Sequence, residues 1–378
     1  MRKRWLARPA VRPSESPDEP AVPGLSRPVA GLLRRRGFAP SDFERFLHPS
    51  VSDISPWNAV PGMENAVEAV LEAVASSRLV LVWGDYDADG LTAAACAALA
   101  VRAAGGESLV HIPNRLSDGY GLGRSAPGVC RAQGAGMLLT VDCGISAREE
   151  IAALETCGVR VVVTDHHDPA GPVPPASVIV DPRLHGVQEP WSVLSGSGLA
   201  LQLALGLAEA SGSKDIAPAA LALACVGTIC DVVPLTGDNR VIARCGLEAL
   251  AEGAVPGLTA LASASGLPPG PLSAADVAFR IGPRLNAAGR VGDPLDAVRL
   301  LVSSDPAETR AICGRIDVLN AHRRDLDRMV SEEATAMAAA EPDSPIVFLA
   351  SRRWHRGVVG IAASRLANDL GKPVILSA

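Results

Sequence analysis

The stretch between residues 77 and 181 alternates short apolar runs with longer segments rich in Ala and Leu. Unbroken apolar runs are typical of strands that are buried on both faces of a parallel sheet, and the intervening segments are long enough for crossover helices. The pattern therefore predicts a doubly wound α/β domain, which we place at residues 77–304. The five predicted strands lie at residues 79–83, 109–112, 137–141, 159–164 and 177–180.

The segments on the N-terminal side and after the last strand have irregular or helical patterns. Residues 1–28 mix Arg, Pro, Ser and Glu without an apolar period, so we expect a flexible arm there. Residues 29–76 predict a small helical segment that ends in a helix over 64–76. Helices rich in Ala and Leu are expected from Ser197 to about Gly253.

One long helix is predicted over residues 305–340, where Asp305 precedes Pro306 as a helix cap. This helix would connect the first domain to a second, smaller α/β domain that begins at residue 341. Because the second domain shows only one strand-helix-strand unit, we expect it to be incomplete in this sequence. That unit is predicted at residues 345–350, 357–370 and 373–377.

Composition narrows the class of protein. The chain has 378 residues, of which 48% are hydrophobic and 20% charged, as in ordinary globular proteins of two or three domains. Its eight cysteines are scattered and form no C-x-x-C pair, which favours reduced thiols over a zinc site or a disulfide scaffold. We see no apolar run of about 18 residues and no signal peptide, so we expect a soluble, cytoplasmic protein without membrane contact.

The strongest chemical signal is the segment at residues 84–90, GDYDADG, which follows the first predicted strand. Asp85, Asp87 and Asp89 would repel one another unless a cation lies among them, so this spacing favours a hard divalent ion. The alternative is a solvated acidic turn or an isolated calcium-loop look-alike. The position of the motif argues against that alternative, because open α/β sheets bind ligands at the carboxyl ends of their strands.

Three further segments carry candidate ligands. Asp142 follows the third strand, although an Asp at this position is often only a helix cap. Residues 164–168, TDHHD, follow the fourth strand and pair adjacent imidazoles with carboxylates. Asp231 lies inside an apolar stretch, where a buried carboxylate must be paired or bound to metal.

Carboxylates and imidazole from four segments should therefore converge at one edge of the sheet. Such a set predicts a site for two ions, and mixed Asp and His ligands favour Mn²⁺ or Mg²⁺, with Mn²⁺ preferred because imidazole is present. Two such ions can activate water and stabilise the entering and leaving oxygens of a phosphoryl displacement. The sequence thus predicts hydrolysis of a phosphate ester.

These four motifs resemble those of the DHH superfamily of phosphoesterases. The similarity to its RecJ-like exonucleases is closer still, and it covers about residues 30–378. It is carried by GDYDADG and by the segments at residues 114–122 (NRLSDGYGL), 280–290 (RIGPRLNAAGR) and 354–366 (WHRGVVGIAASRL).

The resemblance implies a role for each matching residue. Asp142 would bridge the two ions, and Asp142, His166 and His167 would form the catalytic set, with His167 near the scissile phosphate. Asp165 would contact the metal ligands without binding an ion itself. Some family members carry a His where this chain has Trp83, so the first ion would rely on Asp85 or water. The implied metal ligands are Asp85, Asp87, Asp89, Asp142, His166 and Asp231.

The resemblance also implies a substrate and a set of residues that bind it. It implies 5′-to-3′ exonuclease activity on single-stranded DNA in repair and recombination, with a single-strand-binding protein or a helicase as possible partners. The net charge of −6 argues against binding by bulk positive charge alone but is compatible with a local basic groove. Without the resemblance, the basic residues would be interpreted as a surface ion-pair cluster. The groove residues implied are Arg115, Arg280, Arg284, Asn286, Arg290, His355, Arg356 and Gly357.

Two other functions fit the same sequence. The first keeps the chemistry and changes the substrate to short oligoribonucleotides, a cyclic dinucleotide or 3′-phosphoadenosine phosphate. The second is a catalytically silent scaffold that binds nucleic acid, whose signature would be the loss of metal ligands. Every carboxylate of the four motifs is present here, which argues against the scaffold.

Overall fold

The computed structural model describes residues 24–115, 117–340 and 344–378, with the side chain of Lys214 left out. Residues 1–23 of the expected arm lie outside this description. The contacts divide the chain into two compact units, one ending at Asp53 and the other beginning at Ile54.

The first unit contains two short helices, α1 (Arg27–Arg35) and α2 (Phe43–Leu47). Phe43 is buried, and it packs in one cluster with Ala30 and Leu33 of α1. Helical turns were predicted in this region, and they are confirmed by a 3₁₀ turn at Pro40–Asp42 and by α2.

The second unit is built on a five-stranded sheet in which every pairing is parallel and the strand order is β2-β1-β3-β4-β5. Each strand lies within one residue of its predicted bounds, which confirms the predicted parallel α/β fold. The register pairs Gly84 with Val141 and Thr164 with Val180, so the carboxyl ends of four strands lie level at one edge. The strands are β1 (Val80–Gly84), β2 (Ser108–His111), β3 (Met137–Val141), β4 (Arg160–Thr164) and β5 (Val178–Val180).

Helices cover both faces of this sheet. Alternate strand residues such as Val82 and Leu139 face α3, α4 and α7, whereas Leu81 and Leu138 face α5 and α6. This two-sided burial explains the unbroken apolar runs of the strands. The helices that cover the sheet are α3 (Met63–Ala75), α4 (Ala88–Ala103), α5 (Ala126–Gln133), α6 (Arg148–Thr156) and α7 (Gly196–Ser211).

A helical layer follows the sheet in the chain. Helix α11 runs through a π-helical turn, Val277–Ile281, directly into α12. The helices of this layer are α8 (Ala217–Cys230), α9 (Gly237–Ala251), α10 (Pro256–Ala264), α11 (Ala274–Asp276), α12 (Gly282–Val291) and α13 (Pro294–Val302).

The predicted long helix is confirmed as α14 (Pro306–Ala338), and Asp305 caps it by accepting a hydrogen bond from the Ala307 amide at 2.8 Å. Its first half contributes Ile312 and Ile316 to the main core, and its second half packs against a two-stranded parallel sheet and its helix. Those elements are β6 (Val347–Ala350), α15 (Val359–Leu370) and β7 (Val374–Ser377). No helix among the described residues is both long and apolar enough to cross a membrane.

Candidate metal centre

The level carboxyl ends of β1, β3, β4 and β5 place four aspartates along one edge of the sheet. Asp85 follows β1, Asp142 follows β3, Asp165 follows β4 and Asp181 follows β5. All four side chains are buried, with exposed fractions of 1–3%. The sequence predicted the convergence of the first three, and it did not identify Asp181.

The GDYDADG segment is held by two helix N-termini. Asp87 caps α4 by accepting hydrogen bonds from the Asp89 and Gly90 amides at 2.9 and 3.1 Å. Asp89 accepts from the Gly196 and Ser197 amides, which open α7, at 2.8 and 3.0 Å. Free amides and the helix dipole favour a carboxylate at both places.

Glycine is required where these segments meet. A Cβ atom on Gly90 would lie 2.6 Å from the backbone of Asp85, and one on Gly196 would lie 2.5 Å from the Cβ of Asp142. Asp142 itself has a φ of 60°, a left-handed conformation that Asp tolerates better than most residues. The close approach of α7 and the turn after β3 therefore fix the carboxylate of Asp142.

The imidazole of His166 lies where three carboxylates meet. Its Nε2 atom is 3.0 Å from Asp142 Oδ1, 3.7 Å from Asp231 Oδ2 and 3.8 Å from Asp89 Oδ2. Asp231 was expected to be buried, and it is only partly so. Its side chain is 24% exposed, because it caps the C-terminal end of α8.

Asp165 organises the Asp-His-His segment. Its Oδ1 atom accepts hydrogen bonds from the amides of His166 and His167, at 2.8 and 3.2 Å, and lies 2.7 Å from His167 Nδ1. Its Oδ2 atom accepts from the Ile145 amide at 2.9 Å. The hydrogen bond with Asp165 raises the pKa of His167 to about 9.

Three overlapping groups of side chains could each hold a cation, because their ligand atoms lie within 4.8 Å of one another. Asp142 belongs to two of these groups and His166 also to two. Within the described chain, the buried Oδ1 atom of Asp85 has no hydrogen-bond partner, as expected of an oxygen available to an ion. The groups are Asp85 with Asp87 and Asp142, Asp89 with His166 and Asp231, and Asp142 with His166 and His167.

Burial and mutual repulsion make this cluster costly when its carboxylates are charged. Burial raises the pKa of Asp85 to about 7, and the neighbouring charge of Asp87 adds to the shift. Burial, followed by the charge of Asp89, raises the pKa of Asp231 to about 7 and that of Asp142 well above its ordinary value. Divalent cations would relieve this repulsion, so the donor set fits two hard ions.

Comparison with known proteins agrees with this geometry. The family model described as the N-terminal domain of the DHH family matches residues 79–228. A crystal structure of exonuclease RecJ bound to manganese superposes with a TM-score of 0.78 at 37% identity, covering 84% of this chain and 80% of that chain.

The chain belongs to the RecJ family of DHH proteins. The single-stranded-DNA-specific exonuclease RecJ of Salmonella typhimurium is 37% identical, covering 88% of this chain and 60% of the relative. That of Bacillus subtilis is 34% identical, covering 96% and 46%. RecJ of Thermus thermophilus with Mn²⁺ gives a TM-score of 0.80 at 34% identity, covering 93% of this chain and 50% of that chain. The chain thus spans 46–60% of the length of these two curated relatives.

Trp83 occupies the position where some RecJ-like proteins were expected to carry a His. Its ring is fully buried, its Nε1 atom donates to the Gly121 carbonyl at 3.2 Å, and its ring centroid is 4.1 Å from that of His111. Trp83 therefore belongs to the core beneath the site, and its side chain offers no metal ligand.

Two of the predicted groove residues, Arg115 and Arg290, lie close enough to the carboxylate edge for charge interactions with Asp85 and Asp87, respectively. The guanidinium of Arg115 lies 4.8 Å from the ring centroid of Tyr86, beside Asp85. Arg290 is mostly buried, and its Nη1 atom donates to the Gly357 carbonyl at 3.1 Å. The two tyrosines of the chain, Tyr86 and Tyr120, lie close to each other, with their ring centroids 6.2 Å apart.

The other predicted groove residues have contacts within the fold. Arg284 forms an ion pair with Asp317 at 2.9 Å, and Asn286 Oδ1 accepts from the Ala88 amide at 2.8 Å, behind the metal-site loop. Arg280 donates to the Gly266 carbonyl at 3.4 Å. The ring of His355 accepts from the Gly357 amide at 3.0 Å, and Arg356 is exposed.

Sequence reasoning missed the amides of Gly196 and Ser197 as part of the site. The only local signal was a Gly/Ser run that opens a helix, and nothing in it indicates a partner more than 100 residues earlier in the chain. It also missed Asp181 and Arg183, which follow the edge strand β5.

Proposed function

We propose that this chain is the catalytic part of a metal-dependent exonuclease that hydrolyses phosphodiester bonds in single-stranded DNA, from 5′ to 3′, in DNA repair and recombination. The observation that carries the proposal is the sharing of Asp142 and His166 among three ligand groups at one sheet edge. A carboxylate shared between neighbouring ligand groups can hold two ions close enough together to act on one phosphoryl group. The substrate is supported by RecJ relatives whose names specify single-stranded DNA, and the polarity is what the resemblance implies.

Two of these groups share no residue, and each would hold one ion: Asp85, Asp87 and Asp142 the first, and Asp89, His166 and Asp231 the second. Asp142 would also serve the second ion, because its Oδ1 atom lies 3.0 Å from His166 Nε2. Bound Mn²⁺ or Mg²⁺ would supply Lewis-acid charge that activates water and stabilises the phosphoryl oxygens.

The chain's own residues bind and orient the substrate around this centre. The hydrogen bond with Asp165 raises the pKa of His167 to about 9 in the ion-free chain and so favours the protonated ring. In that form His167 would carry a proton on Nε2 that it could donate to a phosphate oxygen or to the leaving oxygen. Asp165 orients the ring by accepting from Nδ1. Arg115 and Arg290 would contact successive phosphates, because guanidinium forks match phosphate geometry.

The location and partners belong to the same proposal. All eight cysteines are thiols rather than disulfides, which favours a reducing compartment, and we place the enzyme in the cytoplasm. A single-strand-binding protein or a helicase would supply or present the DNA substrate.

The test compares cleavage of a 5′-labelled single strand, the matching duplex, a dinucleotide and a cyclic dinucleotide, each with Mn²⁺, Mg²⁺ or chelator. We expect metal-dependent release of nucleotides from the single strand. Asp142→Ala should abolish turnover, whereas Asp168→Ala, which removes an exposed carboxylate of the same loop, should not. Activity confined to the dinucleotides would replace the DNA exonuclease by a small-substrate phosphodiesterase.

A further inference from the structure

Two residues beyond the proposed ligand set are connected to it by hydrogen bonds. The side chain of Asp181 is 1% exposed, and its Oδ1 atom accepts from the Arg183 amide at 2.8 Å. Arg183 in turn donates from Nε to the main-chain carbonyl of His166 at 3.2 Å. Neither residue belongs to a group that could hold a cation.

The carbonyl of His166 needs such a partner because the sheet ends just before it. The β4–β5 ladder finishes at Thr164 and Val180, and the Asp165 amide makes one further bond to the Val180 carbonyl, at 3.0 Å. Beyond this point, the His166 amide is held by Asp165 and its carbonyl by Arg183. One peptide segment is thus fixed from both sides.

We propose that Asp181 and Arg183 position the His166 imidazole for cation binding: Asp181 fixes the turn after β5, and Arg183 anchors the His166 main chain. This inference rests on the proposed metal role of His166. The Nε2 atom of His166 lies 3.0–3.8 Å from three carboxylates, so a small rotation of the main chain moves it out of reach of one of them.

The direction in which cation affinity changes when Arg183 is lost distinguishes a positioning role from a purely electrostatic one. The Arg183 guanidinium is a positive charge close to a cation site, and its charge helps to lower the pKa of His166, although burial is the larger cause. If charge were its only influence, the loss of Arg183 would tighten cation binding. If Arg183 positions His166, its loss weakens cation binding.

The test is calorimetric titration of Mn²⁺ into the full chain without substrate. Arg183→Ala should weaken Mn²⁺ binding by about 10- to 100-fold, the effect usual for residues that orient a ligand. Arg183→Gln loses the charge but keeps a donor, so it should fall between Arg183→Ala and wild type. The matched control is Arg148→Ala, because Arg148 also donates to a carbonyl, that of Val173 at 2.8 Å, away from the cluster.

Thermal unfolding in chelator provides the control for folding. Arg183→Ala should melt close to wild type without ions and should lose most of the stabilisation that Mn²⁺ gives. Asp181→Asn, which keeps an acceptor for the Arg183 amide, should retain more Mn²⁺ affinity than Asp181→Ala.

Two results would overturn the positioning role. Mn²⁺ affinity that is equal or tighter in both Arg183 variants would remove the residue from the site while leaving the proposed function standing. A wild-type chain that binds no Mn²⁺ would overturn the proposed function together with this inference.

Discussion

Without divalent ions, this protein should lose stability as the pH rises from about 5 to 8. Burial and the charge of Asp87 raise the pKa of Asp85 from 3.8 to about 7. A carboxyl group with a raised folded-state pKa binds its proton more tightly in the folded than in the unfolded chain. Its stabilising contribution is complete below the unfolded pKa and is lost as the pH rises through the folded pKa.

The magnitude follows from the size of the shift. A change from 3.8 to about 7 is roughly three units, and at about 1.4 kcal/mol per unit it corresponds to ~4 kcal/mol for Asp85. The side chain is 3% exposed, so little of this is screened by solvent. Only about two of these units lie above pH 5, and the clustered carboxylates share protons, so we expect ~2–3 kcal/mol in total between pH 5 and 8 rather than a sum over residues.

The assay is urea unfolding in chelator at pH 5, 6, 7 and 8, repeated with saturating Mn²⁺. Asp85→Asn removes the charge and should flatten the pH dependence in chelator, becoming more stable than wild type at pH 8. The difference between the two proteins cancels the contributions of the nearby histidines. Asp168→Asn, on an exposed residue, should follow wild type. Parallel curves for wild type and Asp85→Asn would refute the repulsion argument.

Two substitutions test other parts of the site. Gly196→Ala would place a Cβ atom 2.5 Å from the Cβ of Asp142, so turnover should fall by about 10- to 100-fold. The control is Gly314→Ala, which should not reduce turnover because nothing lies within 4 Å of the added Cβ atom. Equal rates for the two variants would contradict the tight fit at Gly196. Arg290→Ala should weaken the binding of single-stranded DNA in chelator and reduce the salt slope by about one unit, and Arg131→Ala should not. A salt slope that Arg290→Ala leaves unchanged would place that residue outside the groove.

The elements of this fold were predictable because their signals are local. Each strand is an unbroken apolar run, and Asp305 before Pro306 marks the start of the long helix. The meeting of Asp85 with Asp142 was also predictable, because the ends of adjacent parallel strands lie at one edge.

The partners of individual side chains could not be predicted in the same way. Arg284 was expected to bind phosphate, but it pairs with Asp317, and no local pattern links these two residues. No local sequence pattern indicates the hydrogen bond between Arg183 and the His166 carbonyl either. Such contacts depend on where turns after different strands meet, which is settled only by the packed structure.

Asp165 and Asp85, two neighbouring aspartates at the sheet edge, differ in how their carboxylates are hydrogen-bonded. Asp165 has both oxygens engaged, with three backbone amides and His167 Nδ1, and so has little capacity left for an ion. The Oδ1 atom of Asp85 is buried without a hydrogen-bond partner in the described chain, although burial penalises such an oxygen. Hydrogen bonding alone does not assign the ligands, because both oxygens of Asp89 accept backbone amides and the buried Oδ2 atom of Asp181 also lacks a hydrogen-bond partner in the described chain. What sets Asp85 apart from Asp165 and Asp181 is its place in a group of carboxylates whose oxygens lie close enough together to hold a cation.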